Sequence, residues 1–182
     1  WSEEAKGYNN LGDHLNDGGQ GDDDSTPTLN GDLFISEYVE GSSYNKAVEI
    51  YNGGNSSVDL SQYSIRKDSN GDGNFGSSIN LAGTLSPSEV YVVTHSNADF
   101  AMESYVDMTD YSLNFNGNDQ VALFKGETAI DHIGVSGGTD FASDVTLIRD
   151  SSILEGSNTY VESQWLENPK DYIELGNHSG TS

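Results

Sequence analysis

From Leu33 onward, apolar residues gather in short runs, and clusters of Gly, Asn, Asp and Ser cut the runs apart. A helix needs apolar residues on a 3.6-residue period over about ten positions or more, whereas a strand alternates faces at every residue and ends at turn formers. The second pattern governs this chain. Leu33–Val39 reads as a strand, and Lys46–Tyr51 as a second, ended by Asn52-Gly-Gly-Asn55. Tyr63–Lys67, Ile79–Leu81, Glu89–Thr94, Gln120–Phe124, Ala129–Gly134 and Val145–Arg149 follow, with a tight turn at Lys125-Gly-Glu127. Glu89–Thr94 is nearly continuous in apolar character, which predicts a central strand. Only Asn97–Tyr105 reads as helical, for a turn or two. Short, evenly spaced strands with polar turns predict an all-β sandwich or barrel.

The chain has 182 residues, enough for one sizeable core plus extras. Residues 1–30 differ from the rest. Trp1–Gly7 reads as the end of a helix, and the Gly and Asp run from Asp17 to Pro27 carries no apolar period. This predicts a largely irregular acidic arm, either a linker or the end of a preceding domain, ahead of a domain at 31–179. The start at Trp1 reads as a cut from a longer precursor. There is no Cys, so disulfide usage does not fix the compartment. No apolar run approaches the roughly 18 residues of a membrane-spanning helix.

Charge narrows the partners. Seven Lys and Arg face thirty Asp and Glu, a formal charge of −23. DNA binding rests on cations that displace counterions from phosphates. This chain has few to offer, and its own field repels a polyanion. Direct nucleic-acid contact is therefore disfavoured unless a divalent metal bridges it. The acidity suits a salty medium and supplies hard oxygen ligands of the kind calcium takes.

Several ordered motifs carry a resemblance. Ile35-Ser-Glu-Tyr-Val-Glu-Gly-Ser-Ser43 is followed by Tyr44-Asn-Lys-Ala-Val-Glu-Ile-Tyr-Asn52, then Asp59–Tyr63, Ile79–Pro87 and Val90–Ser96. Asn114–Lys125, Ala129–Gly134, Trp165–Asp171 and Leu175–His178 complete the set. In this order they resemble the lamin tail domain of the bacterial secreted type. The resemblance implies an immunoglobulin-like β-sandwich without agreed catalytic machinery, found as an accessory module of secreted nucleases and other hydrolases. The related domain of nuclear lamins implies protein and chromatin contacts.

Local motifs add candidate sites. Asp68-Ser-Asn-Gly-Asp-Gly-Asn-Phe75 places oxygen side chains at Asp68, Asn70, Asp72 and Asn74, with Gly73 in sixth place. That is the first half of a calcium loop, in which alternate residues converge on one hard cation. The twelfth position is Ile79 rather than Glu, so the bidentate ligand is missing. The competing reading is a polar hairpin tip built from Asn-Gly and Asp-Gly turns. Glu37, Asn45 and Glu49 read either as hydrogen-bond anchors for the Gly41–Ser43 loop or as a carboxylate-rich cation site. Asn114–Asp119 reads as a structural turn. The histidines, His14, His95, His132 and His178, show no zinc spacing. His95-Ser96 lacks the surrounding elbow of a serine hydrolase.

These readings converge on a non-catalytic interaction domain, extracellular or at the cell surface, with a protein or cell-surface polymer as partner and calcium as the candidate cofactor. Two alternatives stay open. A metal-dependent nuclease or phosphodiesterase would need carboxylates around a metal with cations for the phosphate, and only Arg66 and Lys67 are adjacent. A carbohydrate-binding module would use exposed tyrosines among the ten present.

Overall fold

The computed structural model describes residues 33–178 and contains twelve strands, three short 3₁₀ turns and no α-helix within that range. The acidic arm expected over residues 1–30, with His14, lies outside the described residues, as does Ser179. The strands are β1 (Leu33–Glu40), β2 (Lys46–Asn52), β3 (Val58–Asp59), β4 (Tyr63–Asp68), β5 (Phe75–Asn80) and β6 (Thr84–Leu85). They continue as β7 (Val90–Thr94), β8 (Met108–Thr109), β9 (Gln120–Lys125), β10 (Thr128–Ile133), β11 (Val145–Arg149) and β12 (Trp165–Pro169). A six-stranded sheet in the order β12-β11-β1-β2-β7-β8 packs on a four-stranded sheet in the order β10-β9-β4-β5. A small β3-β6 ladder closes one end. The molecule is an immunoglobulin-like β-sandwich.

Period-two alternation puts the core between the sheets. Val48 and Ile50 of β2, Val93 of β7, Ile65 of β4, and Val121 and Leu123 of β9 all face it. Strand β1 breaks step once. Its pairing with β2 shifts between Ile35 and Glu37, so Leu33, Ile35 and Tyr38 point inward while Glu37 and Val39 point outward. This β-bulge moves one residue without losing the strand.

The outward face of the six-stranded sheet is covered too. Ala98, Phe100, Ala101 and Leu175 form a second apolar cluster with Val39, Ala47 and Val92. Every residue of β1 and β2 is consequently buried. The expected helix at Asn97–Tyr105 is instead a chain of successive turns. Ala98 N–H donates to His95 O, Ala101 to Ala98, Glu103 to Phe100 and Val106 to Glu103, each closing a three-residue span. Irregular turns let Ala98, Phe100 and Ala101 all reach the sheet. Strand β7 has only the two-residue β8 beyond it, so it is not central. Its continuous apolar character reflects burial on both faces.

One buried ion pair ties the two sheets. Asp131 of β10 and Arg149 of β11 are fully desolvated, and the Arg149 Nη2 lies 2.9 Å and 3.0 Å from the two Asp131 oxygens. Strand β11 pairs with β1 only over Glu37–Val39, so the ladder does not extend to Ile35. Asp131 Oδ2 accepts the Ile35 N–H at 2.7 Å, and Oδ1 accepts that of Ser157 at 2.8 Å. The guanidinium also stacks over the Trp165 and Phe34 rings, at 4.4 Å and 5.4 Å from their centroids.

Candidate functional site

The Asp68 loop joins β4 to β5 at one end of the four-stranded sheet. Strand β5 begins at Phe75, four residues before the expected Ile79, because Asp68 and Phe75 pair across the loop. Asp68 is fully buried beneath the loop. Its Oδ1 accepts the Asp72 N–H (3.0 Å), and its Oδ2 accepts the Gly73 N–H (2.9 Å) and the Gln120 side-chain amide. Burial raises the Asp68 pKa. The donors from Gly73 and Gln120, with the Asp72 carboxyl in hydrogen-bonding reach, outweigh this and hold it below the usual carboxylate value.

The other three candidate ligands lie at the surface. Asn70 sits in the left-handed region (φ 57°), with its N–H on Asp119 Oδ1 at 2.8 Å and its Oδ1 accepting from Asn118 at 3.3 Å. Asp72 Oδ1 accepts the Asn74 N–H at 2.9 Å, and the Asn74 side chain is exposed. Gly71 is required where it stands. It has φ +62°, and a Cβ there would lie 2.8 Å from the backbone nitrogens of Gly137 and Gly138. Asp119 also accepts the Asn116 N–H at 3.1 Å, so the two polar segments singled out in the sequence meet at this carboxylate. Among the described residues, no group of three or more His, Asp or Glu side chains is arranged to hold a metal.

The second candidate set separates in the structure. Glu37 and Glu49 are register partners on β1 and β2 and point into the outer cluster, each at most 2% exposed. They do not anchor the Gly41–Ser43 loop. Glu37 Oε1 accepts the Glu174 N–H (3.1 Å), and Glu49 Oε2 accepts that of Gly176 (2.6 Å). The Ser36 hydroxyl donates to Glu49 Oε1 at 2.7 Å. The pair thus pins the C-terminal segment onto the sheet. Burial pushes Glu37 up to about 8, with the neighbouring Glu49 and Glu174 charges adding to the rise against the opposing Glu174 N–H, and burial raises Glu49 too. Asn45 does serve that loop: its backbone pairs with Gly41 and Ser42 at 2.9 Å, its Nδ2 donates to Asp171 Oδ1 at 3.4 Å, and its Oδ1 accepts the Asp99 N–H at 2.9 Å. The 41–43 loop is held by Asp171, which accepts from the Ser42 N–H and hydroxyl at 2.7 Å and 2.5 Å.

Arg66, Lys67 and His95 are committed as well. Arg66 forks onto Glu127 at 2.9 Å and 3.0 Å and lies over the Phe124 ring. Lys67 pairs with Asp119 at 3.6 Å. His95 stacks on Tyr44, meets Tyr111 edge-on, and its Nδ1 accepts the Asn97 N–H at 3.0 Å. Tyr44 and Tyr111 are 50% and 70% exposed, so this end of the sheet presents aromatic surface. Sequence reasoning missed Asp131, Arg149 and Asp171. Their partners are remote in the chain, and no local pattern marks them.

A family model described as Lamin Tail Domain matches residues 26–137, more than half of the chain. The chain belongs to the lamin tail domain family. The match spans β1 to β10 of the sandwich. In this lamin tail domain the six-stranded sheet is completed beyond the matched stretch, by β11 and β12. The lamin tail domain is a non-catalytic, immunoglobulin-like interaction domain, and this chain shares its architecture. No match was found among curated proteins. Among the described residues, no helix is long and apolar enough to cross a membrane.

Proposed function

We propose that this lamin tail domain is an accessory interaction module of a secreted bacterial enzyme, holding a protein or cell-surface polymer near a catalytic unit outside this chain. One observation carries the reading. The polar groups that the sequence offered for chemistry are spent on holding loops and strands: Asp68 and Asp119 on turn amides, Glu37 and Glu49 on the C-terminal segment, and Arg66 and Lys67 on Glu127 and Asp119. With those two cations neutralised in a chain of −23, direct phosphate contact is disfavoured. The acidity supports an extracellular or cell-surface setting.

The test is an assay of the chain on plasmid and on a generic phosphodiester, with Mg²⁺ or Ca²⁺. No turnover above buffer is expected. Turnover that disappears on chelation would overturn the module reading in favour of a metal-dependent nuclease.

Calcium at the Asp68 loop is a separate proposal, favoured by the spacing and by the nearness of the Asp68 and Asp72 carboxyls. A cation there would take exposed Asp72, Asn70 and Asn74 together with the Asp68 edge. Binding to the folded state alone stabilises by about 2.7 kcal/mol at roughly 100 times the dissociation constant. Millimolar calcium is therefore expected to raise the melting temperature of the wild type and not of Asp72→Ala. Equal melting in calcium and in chelator reduces the loop to a hairpin tip.

A further inference from the structure

A polar cleft of about 390 Å³ opens on the outer side of the six-stranded sheet, between the Ser88–Val90 turn, the 104–107 segment and the C-terminal segment at 176–178. Glu89 and Asp107 place carboxylates on its walls, and Ser104, Tyr105, Asn177 and His178 complete them. Each carboxylate commits one oxygen to local backbone. Asp107 Oδ2 accepts the Val92 N–H at 2.8 Å, and Glu89 Oε2 accepts that of Ser86 at 3.2 Å. Among the described residues the second oxygen of each has no hydrogen-bond donor. His178 is 8% exposed, and its Nε2 has no partner among the described residues. Burial and the nearby Arg149 charge hold the His178 pKa below its ordinary value, which keeps the ring neutral. Glu37 and Glu49 lie behind the cleft, under Tyr105 and Gly176. None of the described lining residues is Lys or Arg.

We propose that this cleft seats a guanidinium or ammonium group, the arginine or lysine side chain of a basic partner protein. The site offers acceptors and negative charge, so it repels phosphates and sulfates and draws cations. Two carboxylate oxygens, the Ser104 hydroxyl and the Asn177 carbonyl suit the donor-only head of such a side chain. The Tyr105 ring adds a face for cation–π contact. Arginine fits better than lysine, because its planar fork engages several acceptors at once. The proposal rests on the interaction-module reading and names the chemistry of the partner.

The experiment is a titration of the isotopically labelled chain with N-acetyl-arginine amide, followed by amide NMR. N-acetyl-lysine amide and neutral N-acetylglucosamine are run in parallel. Saturable shifts confined to Tyr105, Asp107, Asn177 and His178 are expected, stronger for arginine and weakened by salt. Glu89→Gln removes one charge-assisted contact and weakens binding about tenfold. Ser104→Trp, at an exposed position, fills the cleft and abolishes binding with the melting temperature unchanged. Shifts scattered over the acidic surface and insensitive to both variants would overturn the proposal. A response to the sugar without one to arginine would do the same. Either result leaves the module reading standing, because that reading is decided by the turnover assay.

Discussion

Asp131→Ala is expected to cost about 3–5 kcal/mol, the largest loss from any single polar substitution in the described structure. The aspartate lies between the sheets with no exposed surface and satisfies Arg149, Ile35 and Ser157 at once. Truncation leaves a guanidinium buried among Phe34 and Trp165 without its counter-charge, and two amides without their acceptor. Many domains are stable by only about 5–15 kcal/mol, so the variant should be close to unfolding. Arg149→Met is expected to be milder. It removes the buried cation and fills its volume, while the Asp131 oxygens keep the Ile35 and Ser157 N–H donors. Urea melts of the two variants decide the order. Equal losses would mean that the ion pair alone, rather than the aspartate's amide contacts, holds the junction.

Glu37 governs the second large effect, which is a dependence on pH. Its carboxyl sits at about 8 in the folded chain against an ordinary 4.5. A raised folded pKa means that the folded state binds the proton more tightly. Its contribution is fully present below about 4.5 and is lost as pH rises through 8. The slope approaches about 1.4 kcal/mol per pH unit inside that window. Glu49, raised in the same direction, adds to it. Asp68 and Asp171 act oppositely. Their folded pKa values lie below the ordinary one, so their stabilisation is lost on acidification. Stability should therefore peak at weakly acidic pH and fall toward pH 8. Charge repulsion across the whole chain adds a similar slope, so the discriminating measurement is Glu37→Gln. That variant keeps an oxygen for the Glu174 N–H and has nothing to titrate. Its stability should decline markedly less than the wild type between pH 5 and pH 8. Parallel curves would assign the decline to net charge.

The residues explain which parts of the fold were legible in the sequence. Strands such as Lys46–Asn52 and Gln120–Lys125 alternate between buried faces, and that alternation is visible without a structure. The first four of the six residues of β5 are Phe-Gly-Ser-Ser, which carry no apolar period because they lie near the surface. Strand β12 lies inside the Trp165–Asp171 motif but does not read as a strand, because an edge segment ending in Glu-Asn-Pro looks like a loop, although an edge strand tolerates Pro169. The polar loops were legible as loops, but their partners were not. Asp119 reaches Asn70 across 49 residues, and Glu37 reaches Glu174 across 137. Composition says that a buried carboxylate needs a donor, and only the fold says which.

The pairing of β1 with β11 also sets an order of events during synthesis. Glu37 and Ile148 are ladder neighbours although more than a hundred residues separate them. Of the described strands, β1 is made first, and it is thus half-laddered until nearly the whole sandwich has followed. Closing so long a loop costs entropy before any contact rewards it. This domain should therefore fold late and as a unit rather than strand by strand, with β1 waiting on β11 for its second partner.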